Sequence, residues 1–400
     1  MQKDFASLKD YCNHVQPIQP LEYVSRQKKL AETLKREGAR AFIMEPGATM
    51  SYYTNIDWSL SERPFLVILR IDDDLPTGLN MTIVTPAFEA TRARENLDQA
   101  KLPPQIEPSI VEWREEDSPY DAVGTVLNET IHKVFMETDV RLFIFDGVSK
   151  VLGNDAVEVS SKAIRTLRMV KSKAELDILR CVNHATELAI RKVRHHVRVG
   201  MTENDIADLM ESALHTAGLT NTWVLALIDE NAAFPHGEPG KTKRVTKDST
   251  VLIDTGGELL GYQSDTTRTF FLGPEGFNKT IEDAWYTVRR AQEKVLNQAA
   301  AGMPCAEVDL TARHVIDEAG YGQYFTHRLG HGIGMEMHEE PYMNQGNTDQ
   351  ILEPGFTFSV EPGIYVAREF GIRLEDIVVV NQEGKLELLT SGLAQNPWSL

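Results

Sequence analysis

Four carboxylates in the C-terminal half of the chain stand where an ionised group is costly. Asp254 closes the apolar run Val251 to Ile253, and Asp265 follows eleven residues later in Ser264-Asp-Thr-Thr-Arg-Thr-Phe270. Glu361 ends Phe358-Ser-Val, and Glu375, fourteen residues on, interrupts Ile372-Arg-Leu-Glu-Asp-Ile-Val-Val-Val380. A lone buried carboxylate is expensive, so something positive must compensate these four. Arg268 and Arg373 could do so as an ion-pair network. A metal explains more, because carboxylates gathered in one cleft repel one another unless a cation lies among them. Two divalent ions against four carboxylates and a bridging hydroxide come close to neutrality.

The segment from Thr326 to Pro341 carries His327, His331 and His338, three histidines in twelve residues, with Gly330, Gly332 and Gly334 allowing close backbone approach. The spacing is not His-Glu-x-x-His, which excludes the helical zinc-protease arrangement. His338-Glu-Glu-Pro341 matches His236-Gly-Glu-Pro239, whereas the position matching His331 is Asp229. His331 therefore reads as a unique metal ligand, and His236 and His338 as flanking groups that contact substrate. Core histidines satisfied by backbone are the alternative. His327 is a candidate for a supporting or substrate role, and Arg373 for fixing the ligand set or the substrate backbone, with a plain salt bridge as its other reading.

The elements that must position these residues repeat. Gly200-Met201 and Gly302-Met303 each open a segment closing on Ala-Gly, at Ala217-Gly218 and Ala319-Gly320, an offset of 102 residues. After a five-residue slippage, Val251-Leu-Ile-Asp254 pairs with Phe358-Ser-Val-Glu361. Each half reads as helix, helix, strand, histidine, loop, strand, carboxylate, and two halves about a pseudo-two-fold axis would bring their carboxylates together. Asp254 and Asp265 are expected across a hairpin turning at Gly256-Gly257. Ser172-Lys-Ala-Glu175 is a capping box that opens a helix with Leu176, Leu179, Val182, Ile190 and Val193 largely on one face. Before it, a helical pattern over Val24 to Glu37, another near Ala122 to Phe135, and short apolar runs at Ala41 to Met44, Phe65 to Leu69, Met81 to Val84 and Leu142 to Phe145 predict an α/β domain. That domain has no P-loop and no GxGxxG. The expected division is residues 1–165 and 166–400.

Composition bounds the partners. The chain has 400 residues, 42% apolar and 25% charged, with a formal charge of −18, which argues against a nucleic-acid or anionic-membrane binder. The interrupted basic cluster Lys241 to Lys247 reads as a solvated loop. No run of eighteen apolar residues exists to span a membrane, and the first thirty residues hold no signal-peptide apolar core. Cys12, Cys181 and Cys305 are odd in number and match no zinc spacing, so reduced thiols in a cytoplasmic protein are expected. Sequons at Asn80, Asn128 and Asn278 carry little weight.

These residues closely resemble the metallopeptidases of the creatinase/aminopeptidase P/prolidase family. The resemblance covers about residues 165–390 and implies an α+β, pita-bread catalytic domain with an internal pseudo-two-fold duplication, preceded by a smaller α/β, creatinase-like domain. It implies that Asp254, Asp265, His331, Glu361 and Glu375 hold two divalent ions, Mn2+ first, with Zn2+ or Co2+ as alternatives. His236 and His338 would contact substrate or steady the tetrahedral intermediate, and Glu361 would also handle a proton. The short gap from Glu361 to Glu375, the Glu-Pro-Gly-Ile-Tyr365 context and the leading domain are similar to the proline-specific branch. The expectation is an Xaa-Pro dipeptidase or aminopeptidase that acts through a metal-bridging hydroxide on peptides with proline second. Family members are often dimers, so a homodimer is expected, to which Trp58 could contribute, with a plain core or surface tryptophan as its first reading. A metal-dependent lyase or hydrolase of non-peptides, or a non-catalytic binding module on the same fold, are the alternatives.

Overall fold

A computed structural model describes residues 5–127, 133–273 and 278–398. It divides into two compact units, residues 18–168, and residues 5–17 together with 169–398.

In the first unit, Pro20 occupies the opening turn of α1 (Pro20–Arg36), where its missing N–H costs nothing, and the helix buries Tyr23, Leu30 and Leu34. There follow β1 (Ala41–Met44), α2 (Ala48–Thr54), β2 (Leu66–Ile71), β3 (Leu79–Pro86), α3 (Ala90–Ala100), β4 (Ser109–Trp113), α4 (Pro119–Leu127), β5 (Val134–Met136), α5 (Leu142–Leu152), β6 (Val157–Val159) and α6 (Lys162–Met169). The six strands form one mixed sheet in the order β4-β3-β2-β1-β5-β6. Two expectations are corrected. Leu142 to Phe145 opens helix α5 rather than a strand, since the residues it buries, Ile144, Gly147 and Val148, recur at helical spacing while Leu142 is 81% exposed. Phe135 lies in strand β5 rather than in the helix that opens at Pro119. Asn128 lies outside the described residues.

The second unit begins with α7 (Lys173–Arg194). Ser172 accepts a bond from the Glu175 N–H, and the Glu175 side chain accepts one from the Ser172 N–H, so the capping box is formed. Next come α8 (Glu203–Thr216), β7 (Thr220–Ile228), β8 (Thr250–Leu259), β9 (Tyr262–Gln263) and β10 (Thr266–Phe271). A similar order then recurs as α9 (Lys279–Gln298), α10 (Cys305–Glu318), β11 (Gly330–Gly332), β12 (Glu339–Met343), β13 (Thr357–Val360), β14 (Gly363–Val366), β15 (Phe370–Arg373), β16 (Asp376–Val380) and β17 (Leu386–Leu388). One sheet runs β10-β8-β7, the other β12-β11-β13-β16-β17, and β14 pairs with β15.

The repeat extends to the backbone. Gly200 and Gly302 hold φ of 93° and 91°, and Gly218 and Gly320 hold 86° and 83°. The Gly200 N–H donates to Val245 (2.8 Å) as Gly302 does to Leu352 (2.9 Å), and Val245 returns a bond to Met201 (2.8 Å) as Leu352 does to Met303 (2.9 Å).

Two further expectations are corrected. Gly256 and Gly257 lie inside β8, and the chain reverses at Leu260-Gly261, both at positive φ. The glycine at 256 is required instead by close approach, since a Cβ there would lie 1.8 Å from the Ser264 carbonyl oxygen. Cys12 and Cys181 form a disulfide, in place of the reduced pair read from spacing. Sequence separation hid this pair, because only folding brings the segment around Phe5 and Leu8 onto α7 and α8. Cys305 is a buried free thiol. No described helix is long and apolar enough to cross a membrane.

Candidate active site

Strand geometry sets the carboxylates. In the β8/β10 pair Asp254 faces Thr267, so Asp265, two residues before Thr267, is its diagonal neighbour on the same face. Glu361 follows β13, its N–H held by the Leu329 carbonyl at 2.9 Å. Glu375 sits between β15 and β16, its N–H donating to the Thr267 carbonyl (3.0 Å) and its Oε2 accepting from the Thr267 hydroxyl (2.7 Å). Oxygens of Asp254, Asp265 and Glu375 lie within 4.8 Å of one another, as do ligand atoms of His331, Glu361 and Glu375. The five side chains line one cleft of about 780 Å3.

These groups fit a cation. Asp254 Oδ1, Asp265 Oδ1 and Glu375 Oε1 are buried without any hydrogen-bond partner, a costly state for an anionic oxygen. Burial first, then repulsion from Glu375, Asp254 and Glu361, pushes the Asp265 carboxyl well above its usual range. Burial, then Glu361 and Asp254, does the same to Glu375. His331 Nδ1 lies 3.1 Å from the Gly332 carbonyl and donates to it, which leaves Nε2 facing Asp265 Oδ2 at 3.5 Å and Glu361 Oε1 at 3.3 Å. A lone pair facing two carboxylates needs a proton or a metal between them. Burial raises the Glu361 carboxyl, but the hydrogen bond and charge of His331 outweigh it and bring it to about 2.

The ion-pair reading holds in part. Arg373 Nη2 donates to Asp254 Oδ2 at 2.6 Å, Nε to Thr267 Oγ1 at 3.0 Å and Nη1 to the Tyr365 hydroxyl at 2.9 Å. Arg268 serves a different cluster: it pairs with Asp376 (2.7 Å) and Glu187 (3.2 Å), and touches Glu375 only at its backbone carbonyl (2.6 Å). One arginine thus pairs directly with one of the four carboxylates, and His331 is the other basic group paired with them among the described residues.

His236 and His338 both line the cleft, and both are exposed. The His338 ring sits 4.0 Å from that of His331. Partial loss of water, then the charges of His331 and Arg328, pushes His338 down to about 4, so it is a neutral donor near pH 7. His327 Nδ1 donates to the Arg328 carbonyl (2.6 Å), so its Nε2 accepts from the Tyr365 hydroxyl (2.8 Å). Burial lowers the His327 pKa and favours this neutral form.

Sequence reasoning missed three participants. Tyr365 joins His327 to Arg373, Thr267 holds Glu375, and the Ser359 hydroxyl accepts from the His331 N–H (3.0 Å) and donates to Glu361 (3.2 Å). Nothing in their spacing marks them. Only the facing of β8, β10, β13 and the β14/β15 hairpin brings them to the ligands.

Residues 177–382 match metallopeptidase family M24, and residues 26–170 match the creatinase/prolidase N-terminal domain. An uncharacterised peptidase of Schizosaccharomyces pombe is 37% identical over 395 residues, covering 96% of this chain and 85% of that protein. The structure of dipeptidase PepE from Mycobacterium ulcerans is similar at a TM-score of 0.85 and 27% identity, over 94% of this chain and 98% of that one. A prolidase from Thermococcus sibiricus is similar at 0.80 and 27%, with the same coverage.

Proposed function

Because the chain belongs to metallopeptidase family M24 and is a peptidase with a creatinase-type N-terminal domain, we propose that it hydrolyses the bond before proline at the N-terminus of peptides, as an Xaa-Pro dipeptidase or aminopeptidase. The observation that carries this is the convergence of three unpartnered carboxylate oxygens with His331 and Glu361 in one cleft between His236 and His338. Asp254, Asp265, His331, Glu361 and Glu375 would hold two divalent ions, Mn2+ first, which supply Lewis acidity and an activated water at neutral pH. Likeness to a prolidase supports proline in second position. The Xaa-Pro bond is a tertiary amide with no N–H to offer, so recognition must come from the amine, the carbonyl and the ring.

The chain's own groups divide the work. Glu361, ionised well below neutral pH, accepts the proton of the attacking water and returns it to the departing nitrogen. Neutral His338 donates to the oxygen on which negative charge develops, and His236, on the matching side of the repeat, orients the substrate. Arg373 and Thr267 fix Asp254 and Glu375, and Tyr365 ties that pair to His327. A homodimer is part of the same reading.

Elemental analysis and a peptide panel with added Mn2+ test it. The folded protein should bind two divalent ions and cleave Ala-Pro or a longer Ala-Pro peptide. Glu375→Ala should lose at least one ion and at least about 100-fold in activity while remaining folded. A protein that binds no divalent metal, or a variant with full activity, would overturn the dinuclear reading. Likeness to dipeptidase PepE favours one second reading, a dipeptidase without strict need for proline, which equal cleavage of Ala-Ala and Ala-Pro would establish.

A further inference from the structure

We propose that Glu203 is a positioning residue: its carboxylate clasps both ends of the loop that presents His236 to the cleft, and so sets where that histidine meets the substrate. The inference rests on the peptidase reading of the cleft and goes beyond it, to a side chain that does not line the cleft.

Glu203 opens α8, directly after the capping residue Thr202, and is fully buried. A buried carboxylate ordinarily needs a cation, yet no lysine or arginine lies within ion-pair distance of it among the described residues. Its charge is met by N–H groups instead. Oε1 accepts from the Ile228 N–H (2.8 Å) and from the Asn231 side-chain amide (2.8 Å), and Oε2 accepts from the Gly240 N–H (2.9 Å). The position in the first turn of a helix favours the same negative charge. Bonds to an ionised acceptor are the stronger kind, so these three hold firmly.

What they hold is a single loop. Ile228 ends β7, a 3-10 turn over Asp229–Ala233 follows, and His236 stands between that turn and Gly240. The Gly240 carbonyl accepts from the Asn204 N–H (3.1 Å), which ties the far end to α8 a second time. Between its ends the loop rests on the β14/β15 hairpin: a Cβ at Gly371 would lie 1.7 Å from the Ala232 carbonyl oxygen, and Arg373 Nη1 donates to the Pro235 carbonyl (3.4 Å). His236 itself is exposed, and its ring makes no hydrogen bond to a described residue. Its position is therefore the position of its loop. His338 is held by a different device, since the neighbouring Glu339 is buried and pairs with Lys171 (2.8 Å). Loosening Glu203 should release one histidine of the pair and leave the other in place.

The test uses Mn2+-loaded full-length protein and the variants Glu203→Gln, His236→Ala and both combined. In Glu203→Gln the amide oxygen still accepts from Ile228 and Asn231, but the NH2 group faces the Gly240 N–H and loosens that end. Hydrogen exchange over residues 229–240 should rise about 10-fold or more, with exchange over 334–339 and the bound metal unchanged. kcat/KM for Ala-Pro should fall about 10-fold in Glu203→Gln, at least as far in His236→Ala, and no further when the two are combined. A purely structural role gives additive losses in the combined variant, and that result, or unchanged exchange over the loop, overturns the proposal. Asn231→Ala, which removes one clasp and leaves the charge in place, substitutes for Glu203→Gln should that variant fail to fold. If wild type cleaves no peptide, the peptidase reading fails, and exchange alone decides for Glu203. A rise confined to 229–240 sustains the clasp, and exchange that is unchanged or raised throughout the chain overturns it.

Discussion

Asp265 and Glu375 are the residues where folding does the least favourable thing to charge. Both are buried, both face other carboxylates, and both are pushed up in consequence. A carboxyl whose folded pKa exceeds its unfolded value of about 4 stabilises the fold below that value, and the contribution is lost as pH rises through the folded pKa. A divalent ion replaces the proton in relieving the repulsion, and protons compete with it. Mn2+ added to chelator-treated protein should therefore raise Tm most at pH 7 to 8 and less at about pH 5. An increment that does not change over that range would contradict the assigned ligands. Arg268 has a different role: buried against Asp376 and Glu187, it braces the start of β16 and reaches Glu375 only at its backbone carbonyl.

Among the elements, the paired loop closures of the two halves make the duplication testable. Gly200 and Gly302 share a left-handed φ, and a Cβ at either would meet nothing within 4 Å. The penalty for alanine there is backbone strain alone, about 1 to 2 kcal/mol at each site, and denaturant unfolding should show nearly equal losses. Gly330 differs, because a Cβ there would lie 1.9 Å from the Ser359 carbonyl oxygen and force β11 from β13. Gly330→Ala should cost more than either, about 3 kcal/mol or above, and displace His331 from Asp265 and Glu361. Equal losses at all three positions would refute the close-approach argument. The β14/β15 hairpin pairs Gly363 with Arg373 and Tyr365 with Gly371, and so delivers Tyr365 and Arg373 to one side of the site.

For the whole molecule, the disulfide is the main departure from sequence expectation. Cys12 and Cys181 are 169 residues apart, and the loop they close contains the entire unit of residues 18–168. Chain-entropy reasoning gives a stabilisation on the order of 5 kcal/mol for so long a loop, as an upper value, because the enclosed unit has its own core. Thiol titration of the denatured, unreduced protein should find one free cysteine, Cys305. Reduction, or Cys12→Ser, should lower Tm while leaving peptide cleavage at 25 °C largely unchanged. Three titratable thiols, or a Tm indifferent to reductant, would count against the bond. On the proposed two-ion reading, the formal charge of −18 would overstate that of the loaded protein by four.

What can be read from sequence alone is the part of the protein governed by local chemistry and by repetition. The carboxylates and histidines stood out because ionisable groups ending apolar runs need compensation, and the offset of 102 residues paired His236 with His338 and, after a five-residue slippage, Asp254 with Glu361. The capping box at Ser172 and the strand at Ala41 to Met44 were legible for the same local reason. Tertiary structure decided the rest. The β8 turn moved to Leu260-Gly261 because glycine at 256 answers to the Ser264 carbonyl across the sheet. Leu142 to Phe145 became helical because its buried partners lie further along. Tyr365, Thr267 and Ser359 reached the site through strand facing, and Cys12 found Cys181 through packing on α7 and α8. In each case the deciding neighbour is distant in sequence, and only the folded chain determines which distant groups touch.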